Sequence, residues 1–400
     1  MTATAFDSNS AQPPSGDRRV VARVFALTDV GRTREHNEDT FLVADLESGA
    51  ALDFDTGYHE ITAEPHGLFF LVADGMGGAA SGELASSMAG QLVLDGLRQL
   101  WSSATSVTPE RFAEALRDAT VTANARIHQH AREHPEHRGM GTTATIAGLL
   151  GDRLYVVQVG DSRAYIVRDG KAQQITKDQS LMQRLVEAGE LTQEEAEVSD
   201  RRNIILQALG PEAQVTVDIT HQQVRRGDTL ILCSDGLSGL LKADEMAACA
   251  TAESDVRQLC RQLVDRANER GGPDNITVIA VRFEGDGLDE AIATDRVGYT
   301  AFPMPGTLND QVRETGPTPP QGSRSIRSDP TPPSGTRMSA VNEMQAERRR
   351  AAQAAQTPMI GAPPPVLEER RRAAIPVFMV LGLAALAALL WTAYQVLSAG

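Results

Sequence analysis

The chain has 400 residues and a formal net charge of -15, and the acidity is confined to one part of it: residues 1–286 hold 27 Lys and Arg against 43 Asp and Glu, whereas 287–400 hold 11 against 10. That balance argues against nucleic acid as a partner. The three cysteines, Cys233, Cys249 and Cys260, form no CxxC pair and have no metal-type spacing, which excludes a disulfide framework and reads as reduced, structural thiols.

Residues 1–19 are polar and contain Pro, Ser and Gly, without a charged start or apolar core of a signal peptide, and are expected to be disordered. From Val20 the texture turns globular and stays so to about residue 285. Strands are predicted over 20–31 (VVARVFALTDVG), 67–75 (GLFFLVADG), 142–150 (TTATIAGLL), 153–171 (RLYVVQVGDSRAYIVRDGK), 215–224 (VTVDITHQQV), 228–236 (DTLILCSDG) and 276–284 (ITVIAVRFE), runs rich in β-branched and apolar residues, several of them ended by glycine. Helices are predicted over 82–101, 108–133, 181–197 and 254–271, several opened by a Ser or Thr cap and the last closed by glycine. The stretch 47–67 reads as a long surface loop. Strand runs interrupted by long helices, without regular βα alternation, predict an α+β fold: a central β-sandwich of two antiparallel sheets flanked by helices, in four α-β-β-α layers.

Beyond Glu284 the composition shifts to Pro, Thr, Ser, Gly and Arg, so 286–374 is expected to be a cytoplasmic linker. Residues 375–397 are expected to form a single transmembrane helix. The run Pro376–Leu397 contains no charged residue and would span roughly 33 Å as a helix, with Trp391 and Tyr394 near its far end. Arg370, Arg371 and Arg372 stand just before it, and the positive-inside bias places the folded part in the cytoplasm of a single-pass membrane protein.

One Asp-Gly near a turn means little, but here the pattern repeats. Asp74-Gly75 ends the apolar run LFFLVA, Asp235-Gly236 ends TLILCS, Asp274-Asn275 precedes ITVIAV, and Glu38 and Asp39 lie in REHNED beyond the first strand. A rigid strand end holds a carboxylate in a fixed place, so at least five carboxylates are expected to converge on one edge of the sandwich. Converging carboxylates repel unless hard divalent cations neutralise them. The histidines offer no competing catalytic pattern; His128, His130, His134 and His137 read as a solvated helical face.

Seven segments in order, RTREHNED, VADGMGGAASGE, MGTTAT, VGDSRAY, ITKDQSLMQRLVEAGELT, CSDGLS and GGPDNITV, resemble the bacterial form of the metal-dependent, type 2C serine/threonine protein phosphatases over about residues 20–284. The resemblance implies hydrolysis of phosphoserine and phosphothreonine by a water activated between two ions, Mn2+ or Mg2+, with a weak third. Asp74 is then expected to bridge two metals, Gly75 to offer its backbone oxygen, Glu38 to complete one shell, and Asp235 and Asp274 to hold the other ion. Asp39 resembles the carboxylate that contacts metal-bound water, Arg34 the arginine that grips phosphate, and Asp161 a ligand of the third metal. Asn275 is expected to orient the site rather than ligate, and residues 176–205 resemble the flap beside the substrate cleft. Two positions depart from the pattern: Gly239 stands where many members have an aspartate, and Met76 where the eukaryotic branch has a histidine. Phosphorylated proteins, serine/threonine kinases among them, are the expected partners; a catalytically weak phosphoprotein-binding regulator of the same fold is the alternative.

Overall fold

In the computed structural model, which describes residues 19–63, 66–102, 107–199 and 201–304, the chain runs through β1 (Val21–Asp29), β2 (Thr40–Asp45), β3 (Ala50–Ala51), β4 (His59–Thr62), β5 (Leu68–Ala73), β6 (Gly75–Met76), α1 (Ala79–Ser102), α2 (Pro109–Glu133), β7 (Gly141–Thr142), β8 (Ala144–Leu150), β9 (Arg153–Val159), β10 (Arg163–Arg168), β11 (Lys171–Gln174), α3 (Leu181–Glu187), α4 (Gln193–Glu197), β12 (Asp218–Gln223), β13 (Thr229–Cys233), α5 (Asp235–Ser238), α6 (Ala243–Ala252), α7 (Val256–Glu269) and β14 (Ile276–Glu284). All described residues belong to the first of two units into which the chain divides, at Arg313.

Two six-stranded antiparallel sheets carry the fold, in the orders β11-β10-β13-β14-β1-β4 and β12-β9-β8-β5-β2-β3. The six buried residues of β5 show why they stack. Leu68, Phe70 and Val72 face the other sheet, in a core with Val24, Leu232, Ile279 and Val281. Phe69, Leu71 and Ala73 face outward, in a core with Val93 and Leu97 of α1 and Phe112 and Leu116 of α2. A strand apolar on both faces must be covered on both, because successive side chains alternate across the sheet. β14 does the same in the other sheet, sending Ile279, Val281 and Phe283 inward and Ile276, Val278 and Ala280 outward against Leu259 and Leu263 of α7. Three cores between four layers are the result.

The predicted elements and the observed ones differ where tertiary pairing decides. The stretch 47–67, expected to be a surface loop, lays β4 along β1, with Val21 opposite Thr62, and packs Phe54 edge-on against Phe25 and Phe41. The helix predicted over 181–197 is two, α3 and α4: Gly189 has φ +71, and Thr192 starts anew with a capping box to Glu195. The helix predicted from 254 starts with Asp255 as its cap, accepting from Arg257 N at 2.8 Å.

The ordered chain also runs past 285, where the linker was expected to begin. Leu288 is fully buried, Ala301 bridges to Thr220 on the outer edge of β12, and Phe302 packs edge-on against Tyr155. A row of unpaired backbone groups on an edge strand recruits a partner regardless of the partner's composition. Among the described residues no helix is long and apolar enough to cross a membrane; residues 1–18, the rest of the expected linker and the expected transmembrane helix at 375–397 lie outside them.

Candidate active site

Antiparallel pairing brings particular strand ends to one edge of the sandwich. Asp29 at the end of β1 lies opposite Ile276 at the start of β14, Thr40 opposite Ala73, Ala144 opposite Val159, and Arg163 opposite Cys233. The residues following or preceding these ends, Glu38 and Asp39, Asp74, Asp161, Asp235 and Asp274, therefore gather there.

Their electrostatics record how close they are. Burial pushes Asp74 well above the usual carboxylate range, and Asp39, Asp235, Asp161 and Asp274 push it further. Asp235 is raised by burial and by Asp274, against a hydrogen bond with Asp74. Burial raises Asp161 to about 8, with Asp235 and Asp178 adding to it. Asp39 is raised to about 7, again mainly by burial, although the hydroxyls of Thr277 and Ser234 beside it pull it down. Glu38 is raised by burial while Arg34 pulls it down. Carboxylates resist ionising together in a medium of low dielectric, and each neighbour adds to that cost.

Backbone and side-chain contacts lock these groups in place. Ser234 Oγ donates to Asp39 Oδ2 at 2.7 Å, and the other carboxylate oxygen, Oδ1, is buried with no partner. Asp74 N donates to Thr143 Oγ1 at 2.9 Å, while its carbonyl accepts from Thr143 N at 2.8 Å and from Thr142 Oγ1 at 2.9 Å. Asn275 clamps the loop that carries the first motif: its Nδ2 donates to Val30 O at 3.0 Å and His36 O at 2.9 Å, and its Oδ1 accepts from Glu38 N at 2.8 Å. Gly75 sits in a cradle that admits no side chain, since a β-carbon there would fall 2.3 Å from Gly82 O and 2.5 Å from Glu38 O. Arg34 reaches over the edge, with Nη2 2.8 Å from Asp274 Oδ2.

The donors fit a divalent cation in kind: hard carboxylate and carbonyl oxygens, mutually repelling, with one buried oxygen that has no partner. As the side chains stand, no group of three His, Cys, Asp or Glu among the described residues is disposed around one point to hold an ion, and Asp274 faces Arg34. An ion would take Asp274 from Arg34. His130, His134 and His137 stack on one another instead of converging.

Sequence reasoning places all eight of Arg34, Glu38, Asp39, Asp74, Gly75, Asp161, Asp235 and Asp274 near this edge, and the structure brings them together there. It misses Ser234, Thr143 and Ser162, whose hydroxyls brace the carboxylate loops; Ser and Thr within CSDGLS, MGTTAT and VGDSRAY are the available signal.

A four-layer α+β sandwich with a carboxylate-lined edge and an arginine at its mouth suits metal-assisted hydrolysis of phosphoesters. The family model for protein phosphatase 2C matches residues 55–277, and the chain belongs to that family, an enzyme class of phosphoprotein hydrolases. The chain is 34% identical over 255 residues to the serine/threonine phosphatase stp of Listeria welshimeri, covering 64% of this chain and 93% of that one. It is 38% identical over 262 residues to the serine/threonine protein phosphatase PstP of Mycobacterium tuberculosis, covering 65% of this chain and 45% of that one. Among solved structures, the M. tuberculosis serine/threonine phosphatase PstP/Ppp superposes with a TM-score of 0.54 at 34% identity, covering 66% of this chain and 99% of that one. The PstP catalytic domain in complex with two manganese ions matches with a TM-score of 0.52 at 33% identity, covering 66% and 99%.

Proposed function

We propose that the chain removes phosphate from phosphoserine and phosphothreonine side chains of proteins, using two divalent cations at the carboxylate edge, Mn2+ or Mg2+. Glu38, Asp74, the carbonyl of Gly75, Asp235 and Asp274 would hold them, with Asp161 available to a third. When bound, such ions offset the carboxylate charge, polarise a phosphoryl oxygen and make a water more acidic. Arg34 supplies a planar donor fork for the phosphate, free to leave Asp274 because the pair is half exposed and costs little to break. Asp39 has a buried acceptor, Oδ1, without a protein partner and is kept in place by Ser234, which suits it to orient a water or take its proton. The manganese-bearing relative supports the metal assignment.

The observation that carries the reading is the set of mutually repelling carboxylates at one sandwich edge with Arg34 over it. Phosphate release from a phosphothreonine peptide by the full chain, with Mn2+ present and then withdrawn by EDTA, tests it. Turnover that appears with Mn2+ and vanishes with EDTA is expected; turnover indifferent to EDTA overturns the metal role, and metal binding without turnover favours a phosphoprotein-binding regulator.

The cell membrane is the proposed location, with the phosphatase unit on the cytoplasmic side. The uncharged run 376–397 behind Arg370, Arg371 and Arg372 supports a single-pass anchor, and a shared membrane would raise the effective concentration near serine/threonine kinases anchored in it. Deleting 376–400 should move the protein from the membrane to the soluble fraction; a persistent membrane fraction refutes the anchor.

A further inference from the structure

We infer that residues 286–304 form a strap that holds the root of the α3–α4 flap, and that Tyr299 is a positioning residue for that flap. The strap is fastened at intervals along its length. Arg225 Nε donates to Asp295 Oδ2 at 2.7 Å and Nη2 to Asp295 Oδ1 at 3.0 Å. Gln222 Nε2 donates to Arg296 O at 3.1 Å. His221 N donates to Thr300 O at 3.0 Å and Phe302 N to Ile219 O at 2.8 Å, so the strap's end adds to the edge of β12 as a partial strand.

Between these fastenings the Tyr299 ring lies under Lys177, with Nζ 4.4 Å from the ring centroid. Lys177 also pairs with Glu187 at the end of α3, 3.2 Å away. The next two residues anchor the flap to the catalytic edge. Asp178 receives Arg163 Nη2 at 2.6 Å and Nε at 3.0 Å, and Gln179 N donates to Gly160 O at 2.8 Å, directly before Asp161. The flap's returning limb closes on the same point, with Leu206 N donating to Gln179 O at 2.7 Å and Leu181 N to Ile204 O at 2.8 Å. Residues 177–179 are thus gripped on one side by the strap and on the other by the loop carrying Asp161. A cation over an aromatic face fixes the direction of a long lysine side chain at a partly exposed site, where a surface ion pair alone would not.

The kinetic consequence rests on the phosphatase reading, but the positioning does not. The test is hydrogen exchange at the amides of 181–206 in the full chain, in detergent, for Tyr299→Ala, Tyr299→Phe and Lys177→Met. Exchange is expected to rise roughly threefold in Tyr299→Ala and Lys177→Met, and not in Tyr299→Phe, which keeps the ring face. The double variant should exchange no faster than Lys177→Met alone, since both changes remove the same Lys177–Tyr299 contact and only the lysine change also removes the Glu187 pair. With a phosphopeptide substrate, the KM of Tyr299→Ala should rise by a similar factor at unchanged kcat. Unchanged exchange in Tyr299→Ala, or equal acceleration in Tyr299→Phe, overturns the inference. Because exchange is read with or without turnover, it decides the role of Tyr299 even where the phosphatase reading fails.

Discussion

Arg34 and Asp274, on loops 240 positions apart in the sequence, meet with Nη2 2.8 Å from Oδ2 at the mouth of the site. Their side chains are 48% and 29% exposed, so the pair adds little to stability, and its value lies in keeping a guanidinium poised where a phosphate would arrive. Replacing Arg34 by Ala should lower kcat/KM for a phosphopeptide about 10- to 100-fold, mostly through KM, the size of a lost charged hydrogen bond. The thermal midpoint should hardly move. Arg34→Lys should recover only part of the loss, since an ammonium lacks the planar fork. A full recovery by lysine, or a fall in kcat alone, would count against the assignment.

Asp74→Asn should abolish binding of Mn2+, read by calorimetry, and with it turnover. In EDTA two carboxylates of the site should favour the folded chain less as the pH rises. Burial raises Asp39 to about 7 and Asp161 to about 8 in the folded chain, above their unfolded values. Folding therefore takes up protons, so the stability these groups contribute is present below pH 4 and lost as pH rises to 8. Urea titrations should read the loss, and Asp74→Asn should reduce it by removing one repelling neighbour. A stability that climbs between pH 5 and 8 in EDTA would contradict the crowding of these carboxylates.

Asn275 ties the loop bearing Glu38 to the loop bearing Asp274 by three hydrogen bonds. Asn275→Ala leaves two carbonyls and an amide without those partners and should cost about 2–4 kcal/mol of stability. It should also weaken Mn2+ affinity, because Glu38 loses its anchor. Chemical denaturation gives the first quantity and metal titration the second; a variant as stable as the parent would show that the clamp is incidental.

Ending the chain at 285 rather than 304 should destabilise the catalytic unit by about 2–4 kcal/mol. Leu288 is buried and Phe302 packs on Tyr155, and each apolar side chain returned to water costs about 1.5–3 kcal/mol when fully exposed. Equal urea midpoints for the two truncations would mean that the strap merely lies on the surface.

Much of this arrangement is legible in the residues themselves. β5 announces itself because a strand covered on both faces is apolar at every position, β14 follows with an almost unbroken apolar run from Ile276 to Val281, and Asp74, Asp235 and Asp274 are conspicuous because each interrupts such a run at its end. β2 is harder to see because TFLVAD is short and partly polar, and β4 harder still, since half of HEIT is exposed and only β1 makes it a strand. The split between α3 and α4 turns on Gly189, whose left-handed conformation stops a pattern that otherwise reads as one helix.

By itself the sequence determined the layered fold and the acidic edge, because alternation and strand-end carboxylates are local properties carried by neighbouring residues. Only the tertiary structure decided what surrounds those carboxylates. Asn275 holds Glu38, Ser234 holds Asp39, and residues 286–304, with a composition suited to a linker, become part of the domain by lying along β12. Such contacts join residues tens to hundreds of positions apart, and backbone hydrogen bonds at an exposed sheet edge make almost no demand on the side chains that supply them.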